Sequence, residues 1–134
     1  MGLGGRWFGD VVGPLQTPRA VVDAVLDDRV DAGPLDSWWH DLLKLHEPAT
    51  AARLRTIAST PMTAIPPLVA AAAVPHNVRA RLTAALERVG AEGVLHEVRE
   101  GLLIDGFARV TSDDYAALAE SAGRVDALGY RHLQ

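Results

Sequence analysis

Residues 16–43 read QTPRAVVDAVLDDRVDAGPLDSWWHDLL and hold two helix starts with a short apolar segment between them. Thr17 followed by Pro18 is a strong helix start, because a hydroxyl-bearing N-cap precedes a proline at the first helical position. The helix that follows has one apolar face. Residues 30–35 then read as a short strand, and Asp36 can cap a second helix.

The remainder of the chain adds extended segments first and helices later. The first elements read as β–α–β–α units, and the second half of the chain is mostly helical. The sequence therefore predicts an α/β fold, in which a small parallel or mixed sheet has flanking helices and a helical C-terminal half. Further extended segments are expected at 7–13, 54–58, 67–74 and 106–110, and further helices at 78–89, 92–103 and 111–128.

Composition excludes several classes of protein. The 134 residues suit one domain with a modest core, and 49% of them are hydrophobic, which is typical of a globular chain. The net charge is −4 and the basic residues are not clustered, so no nucleic-acid partner is expected. The absence of cysteine excludes disulfides and thiol catalysis. The N-terminal residues do not read as a signal peptide.

Three turns carry hydroxyl or carboxyl groups at the ends of the expected strands or the starts of the helices. They are Gln16-Thr17, Asp36-Ser37 and Ser59-Thr60. Ligands of open α/β sheets bind outside the carboxyl ends of the strands, beside helix N-termini that attract anions. The three turns are therefore predicted to line one pocket. The alternative is that Thr17 and Asp36 only cap their own helices.

Trp38 and Trp39 follow the second of these turns. Consecutive residues of a helix point about 100° apart, so the two rings cannot face the same way. One ring is predicted to lie in the core and the other at its rim. A rim tryptophan beside Asp36 would suit a ligand with a flat or cationic part, and it would equally suit an interface.

No pattern indicates catalysis, a metal or a cofactor. The five histidines lack paired ligand spacing, and no GxSxG, Walker or GxGxxG motif occurs. No serine has a histidine and an acid arranged for nucleophilic work. We therefore expect no enzyme, no metal site and no cofactor.

Three stretches together resemble one protein family. They are TPRAVVDAVLDDRVDAGPLDSWWHDLL at 17–43, LRTIASTPMTAIPPLV at 54–69 and LLIDGFARVTSDDYAAL at 102–118. Their order resembles the C-terminal half of phosphate/phosphonate-type substrate-binding proteins of ABC transporters, which are type 2 periplasmic binding proteins. The resemblance covers roughly residues 11–130.

The resemblance implies a partial type 2 periplasmic-binding-protein fold. Residues 1–66 would form the α/β part of the second lobe with the ligand-cleft turns. Residues 67–134 would form the return through the hinge and the mostly helical C-terminal part of the first lobe. The ligand-binding residues implied are Thr17 as the anion-binding hydroxyl, Asp36 as the acidic contact with Ser37 and Trp38 beside it, and Thr60 as the hydroxyl near the hinge.

The implied function is that of a solute-binding module of an ABC-type importer. It would bind a small anionic or zwitterionic solute such as a phosphonate-like compound, by closure of two lobes and without catalysis. Its partners would be the small-molecule solute and, through a full-length parent, an ABC permease; a parent signal peptide would place it in the periplasm or at the cell surface. Two alternatives stay open: a cytoplasmic sensor or enzyme-associated protein that reuses the fold, and a folded remnant without ligand.

The chain departs from the family pattern in two ways. The family's turn often reads Ser-His, whereas this chain has Thr17-Pro18, so a histidine contact to a phosphonate is not expected. The family's proteins are also longer and have two lobes, and residues 2–6 are therefore interpreted as a truncated start. Strand edges left open in such a fragment invite pairing with a second copy, so we expect a homodimer, including a form with exchanged elements.

Overall fold

The computed structural model describes residues 9–129 and shows a helical chain with long irregular connections. The expected truncated start at 2–6 and the first residues of the extended segment at 7–13 lie outside the described residues. The helices are α1 (Pro18–Leu26), α2 (Ser37–His46), α3 (Pro48–Ala51), α4 (His76–Arg88), α5 (His96–Leu102) and α6 (Ala116–Ala127), with short 3₁₀ turns at Val89–Ala91, Gly93–Leu95 and Ser112–Tyr115.

The predicted sheet is not formed, so the α/β fold class is wrong for residues 9–129, which contain no strand. A strand exists only when a neighbouring strand completes its ladder of hydrogen bonds. Residues 55–70 make no backbone–backbone hydrogen bond with any other described residue, and the same holds for residues 31–35. The sequence pattern predicted strands here, but these residues form irregular connections, because no neighbouring strand in the described chain pairs with them.

The helix starts predicted at Thr17 and Asp36 are confirmed, whereas the helix expected at 92–103 begins only at His96. The Ala20 N–H donates to the Thr17 hydroxyl oxygen at 3.2 Å, and the Trp39 N–H donates to the Asp36 carboxylate at 3.0 Å. Before α6, Thr111 and Asp114 form a reciprocal capping box, and the hydrogen bonds from Thr111 lower the pKa of the Asp114 carboxyl. These elements are correct because capping depends on a few adjacent residues.

Two helices end on a residue in the left-handed conformation that is not glycine. Asp28 after α1 has φ 57°, and Leu103 after α5 has φ 53°. Leu103 donates its N–H to the Glu100 carbonyl at 3.2 Å, and Ile104 donates to the Arg99 carbonyl at 3.0 Å, which completes a Schellman motif. A branched side chain is unfavourable at this position, where glycine is the usual residue.

The only buried side chains in the described chain belong to α1, α2 and α3. Val22, Leu43 and Ala51 form the core, and the half-buried residues Leu26, Leu35, Trp39 and Leu54 pack against it. A Cβ at Gly33 would lie 2.6 Å from the Val21 side chain, so the absence of a side chain lets residues 30–35 pass close over α1. Burial of Val22 and Leu43 contributes about 1.5–3 kcal/mol each.

A polar contact closes one side of this core. The Arg19 guanidinium pairs with Glu47, which joins α1 to the junction of α2 and α3, and it also lies 5.7 Å from the centre of the Trp39 ring. The hydrogen bond from Arg19 holds the pKa of the Glu47 carboxyl below its ordinary value. Both side chains are partly exposed to water, so the pair positions the helices more than it stabilises them.

The C-terminal half has few tertiary contacts of its own. Gly90 packs against residues 105–106, since a Cβ there would lie 2.9 Å from the Asp105 carbonyl oxygen. Arg109 donates two hydrogen bonds to the Glu87 carboxylate, at 2.5 and 3.2 Å. None of residues 76–129 is buried. No helix within residues 9–129 is long and apolar enough to cross a membrane.

Leu103→Gly is expected to raise the free energy of unfolding by up to about 1 kcal/mol, because glycine adopts the left-handed conformation without a Cβ clash. Urea unfolding followed by circular dichroism measures the change. Asp28→Gly should give a smaller gain, since aspartate tolerates this conformation better than leucine. Leu102→Gly, inside the helix, should destabilise the chain; a Leu103→Gly variant that lowers the midpoint as much as Leu102→Gly would contradict the argument.

Candidate functional site

Thr17 and Asp36 both lie at exposed N-termini, of α1 and α2 respectively. The capping hydrogen bonds engage the Thr17 hydroxyl oxygen and one carboxylate oxygen of Asp36, Oδ1. Capping leaves the Thr17 O–H able to donate, and it leaves the second Asp36 oxygen able to accept. Both residues therefore cap their helices as the alternative interpretation expects. Each can still form a further hydrogen bond.

Trp38 and Trp39 divide as predicted, one at the rim and one toward the core. Trp39 is half-buried against the core, whereas Trp38 is 38% exposed. The Trp38 indole N–H donates to the Leu102 carbonyl oxygen at 2.7 Å. Trp38 thus serves a contact between α2 and α5 while part of its side chain stays exposed.

A second side chain of α2 contacts the same end of α5. His46 Nε2 lies 2.6 Å from the Gly101 carbonyl oxygen. The last carbonyl groups of a helix have no partner within the helix, and here Trp38 and His46 bind two of them. The sequence did not reveal this contact: Trp38 and His46 lie about two turns apart on α2, but nothing in their spacing points to residues 101–102.

The remaining predicted residues are not brought into one cluster. Ser37 is the exposed first residue of α2, and Thr60 is exposed in the irregular segment between α3 and α4. No hydrogen bond among the described residues joins Thr17, Asp36 or Thr60 to another of the three.

An open cleft of about 460 Å³ lies between the end of α2 and α5. Leu45 of α2 lines it on one side, and residues of α5 and the segment after it line the other. Arg99 reaches from α5 to the Asp105 carbonyl oxygen, to which its Nη1 donates at 3.1 Å. Sequence reasoning missed this cleft because its walls come from parts of the chain about 50 residues apart.

Metal ligands do not cluster in the part of the chain that the structure describes. No group of three or more His, Asp or Glu side chains in the described residues is placed so that it could hold a metal ion.

The comparison with protein families finds one match. A family described as the periplasmic substrate-binding protein of a phosphonate ABC transporter matches residues 8–115. The match confirms the resemblance seen in the three stretches of sequence. Comparisons with curated proteins and with solved structures give no match.

Trp38→Phe is expected to lower the free energy of unfolding by about 1 kcal/mol, since it removes the donor to the Leu102 carbonyl and keeps an aromatic ring. Urea unfolding measures the loss, and hydrogen exchange at residues 100–104 should speed up locally. His46→Ala should have the same local effect. Unchanged exchange in both variants would show that the α2–α5 contact does not form in solution.

Proposed function

The chain belongs to the family of periplasmic substrate-binding proteins of phosphonate ABC transporters, and we propose that it is a solute-binding module that takes a small anionic or zwitterionic solute. The observation that carries this proposal is the family match over residues 8–115 of 134. Proteins of this kind deliver a solute to a transporter, so binding and release, without a chemical step, are the proposed activity.

Thr17 is proposed as a donor to an anionic group of the solute. Its oxygen accepts the capping hydrogen bond from Ala20, and its O–H remains able to donate. The N-terminus of α1 carries a partial positive charge that favours an anion such as a phosphonate. Both properties act on the same side of the helix end, which supports an anion contact there.

Asp36 is proposed as the contact for a cationic group of the solute. A carboxylate repels an anion, so its presence favours a zwitterion over a plain phosphate or sulfate. Ser37 and Thr60 are proposed as further hydroxyl contacts, and the Trp38 ring as a wall of the pocket. Bringing these groups together would need closure of the chain around the solute, with residues 1–66 and 67–134 contributing to different lobes.

A second copy of the chain is proposed as a partner. The chain exposes 11276 Å², whereas a compact protein of its mass exposes about 6,800 Å². Permanent dimers bury about 2,000–5,000 Å² counted over both partners, or about 1,000–2,500 Å² on each, so the excess is large enough to supply one partner's share of such an interface. Residues 56–75 carry no charge, and within them Ile57 is 72% and Met62 is 99% exposed. Exchange or pairing of this segment between copies would satisfy its backbone groups. An ABC permease is the partner expected for transport.

The proposal is tested by calorimetry and tryptophan fluorescence with alkylphosphonates, aminoalkylphosphonates, phosphate, sulfate and amino-sulfonates. Saturable binding of one class, strongest for the zwitterions, is expected. Thr17→Asp keeps the helix cap but replaces the donor by a negative charge, so it should weaken anion binding about tenfold or more. Thr17→Ser keeps both properties and is the matched control.

Asp36→Asn tests the contact to the cationic group of the solute separately from the contact to its anionic group. The amide oxygen still caps α2, so folding should be retained. Affinity should fall for aminoalkylphosphonates and should rise, if it changes at all, for alkylphosphonates, because loss of the carboxylate removes a repulsion from their anionic group. If no solute of the panel binds saturably, at any oligomeric state, the solute-binding function is wrong for this chain.

Light scattering at several protein concentrations tests whether the chain associates with a second copy. A mass of twice 14.3 kDa is expected, and Ile57→Lys, which places a charge in the uncharged segment, should shift the equilibrium toward the monomer. Val94→Lys, at an exposed apolar residue outside that segment, is the control. A monomer at all concentrations would rule out self-association.

A further inference from the structure

Arg99 has hydrogen-bonding capacity that the described protein does not use. A guanidinium group carries five N–H donors, and one of them is engaged, from Nη1 to the Asp105 carbonyl. The Nε–H is buried and has no acceptor among the described residues. Arg99 also forms no ion pair with any carboxylate of residues 9–129. The buried Nε–H is closed to a ligand, and the remaining Nη N–H groups of this half-buried guanidinium are the donors suited to a planar anion such as a carboxylate.

Negative charges line the same cleft without neutralising Arg99. Glu100 and Asp105 both line it, and neither forms an ion pair with an arginine or lysine of the described chain. The nearest basic group to Glu100 is His96, whose Nε2 lies 3.5 Å from the Glu100 carboxylate. The cleft therefore offers one positive and two negative groups that remain unpaired with each other.

An apolar wall completes the cleft. Leu45 contributes from α2, and Leu103 and Ile104 contribute from the end of α5. Leu103 has a positive φ of 53°. Residues in such an unfavourable backbone conformation occur preferentially at functional sites. The volume of about 460 Å³ lies within the range of small-molecule sites, about 300–1,000 Å³.

We propose that this cleft binds a small zwitterion with an apolar side chain, of the α-amino acid type. The carboxylate of the ligand would pair with Arg99, its ammonium group with Asp105, and its side chain would pack on Leu45 and Leu103. Opposite charges beside an apolar wall match this chemistry better than they match an anion alone, because an anion would leave the carboxylates of the cleft unbalanced.

The cleft is separate from the helix N-termini at Thr17 and Asp36, and the inference does not rest on the proposed transport function. Trp38 provides a reporter close to the cleft, because its indole N–H donates to the carbonyl of Leu102, the neighbour of Leu103. Occupation of the cleft is expected to change the fluorescence of Trp38.

The test is calorimetric titration of the chain with L-leucine, 4-methylpentanoate and isopentylamine, with fluorescence as a second readout. Leucine is expected to bind saturably. The two analogues each lack one charge, so each should bind about tenfold or more weakly, as expected for the loss of one charge-assisted pairing. Equal binding of all three, or no saturable binding of leucine, would overturn the proposal.

Substitutions of cleft residues test whether leucine binds in the cleft. Arg99→Gln and Asp105→Asn should each weaken leucine binding about tenfold or more, whereas Arg79→Gln, on the exposed surface of α4, should leave it unchanged. Arg99→Lys keeps the charge without the planar fork and should give an intermediate affinity, which preserves the test if Arg99→Gln does not fold. If the Arg99→Lys and Asp105→Asn variants both bind leucine as tightly as the unmodified chain, the assignment of leucine binding to the cleft is wrong. The result of the leucine titration does not change the result expected for the phosphonate panel. Either proposal can therefore be wrong while the other holds.

Discussion

The rest of the structure depends on α2, because this helix is packed on two sides at once. One side presents Trp39 and Leu43 to the core shared with α1 and α3. The other presents Trp38 and His46 to the last carbonyl groups of α5. Helix amphipathicity explains the first side, and the unsatisfied ends of α5 explain the second. Without α2, the C-terminal half would have little to attach it to the only core in the described chain.

Backbone hydrogen bonding sets the second constraint on this chain. Residues 55–70 leave their backbone N–H and C=O groups without backbone partners in the described chain, and their apolar side chains face water. Water satisfies such groups when they are exposed, but it does not favour the exposed apolar side chains. A further protein surface, which the proposed second copy would supply, would cover these side chains and offer partners to these backbone groups.

The family match and the local geometry give different kinds of information about function. The family match identifies a substrate-binding component of a transporter. The N-termini of α1 and α2 explain how capping residues can retain a donor and an acceptor for a solute. The cleft beside α5 is a different kind of site, in which unpaired charges of both signs adjoin an apolar wall. The two sites are proposed to take different solutes: the helix N-termini suit a phosphonate group, whereas the cleft suits an amino acid whose side chain packs on its apolar wall.

The sequence alone indicated several of the helix starts and the family. Thr17 and Asp36 indicated helix starts because an N-cap acts within one turn of its helix, and the three quoted stretches carried the family resemblance because such motifs are local. The structure decided whether the extended segments become strands, since a strand needs a partner that its own residues cannot specify. It also decided which carbonyl Trp38 binds and that Leu45 and Arg99 line the same cleft, because these residues lie about 50–65 positions apart and are brought together by how the helices pack.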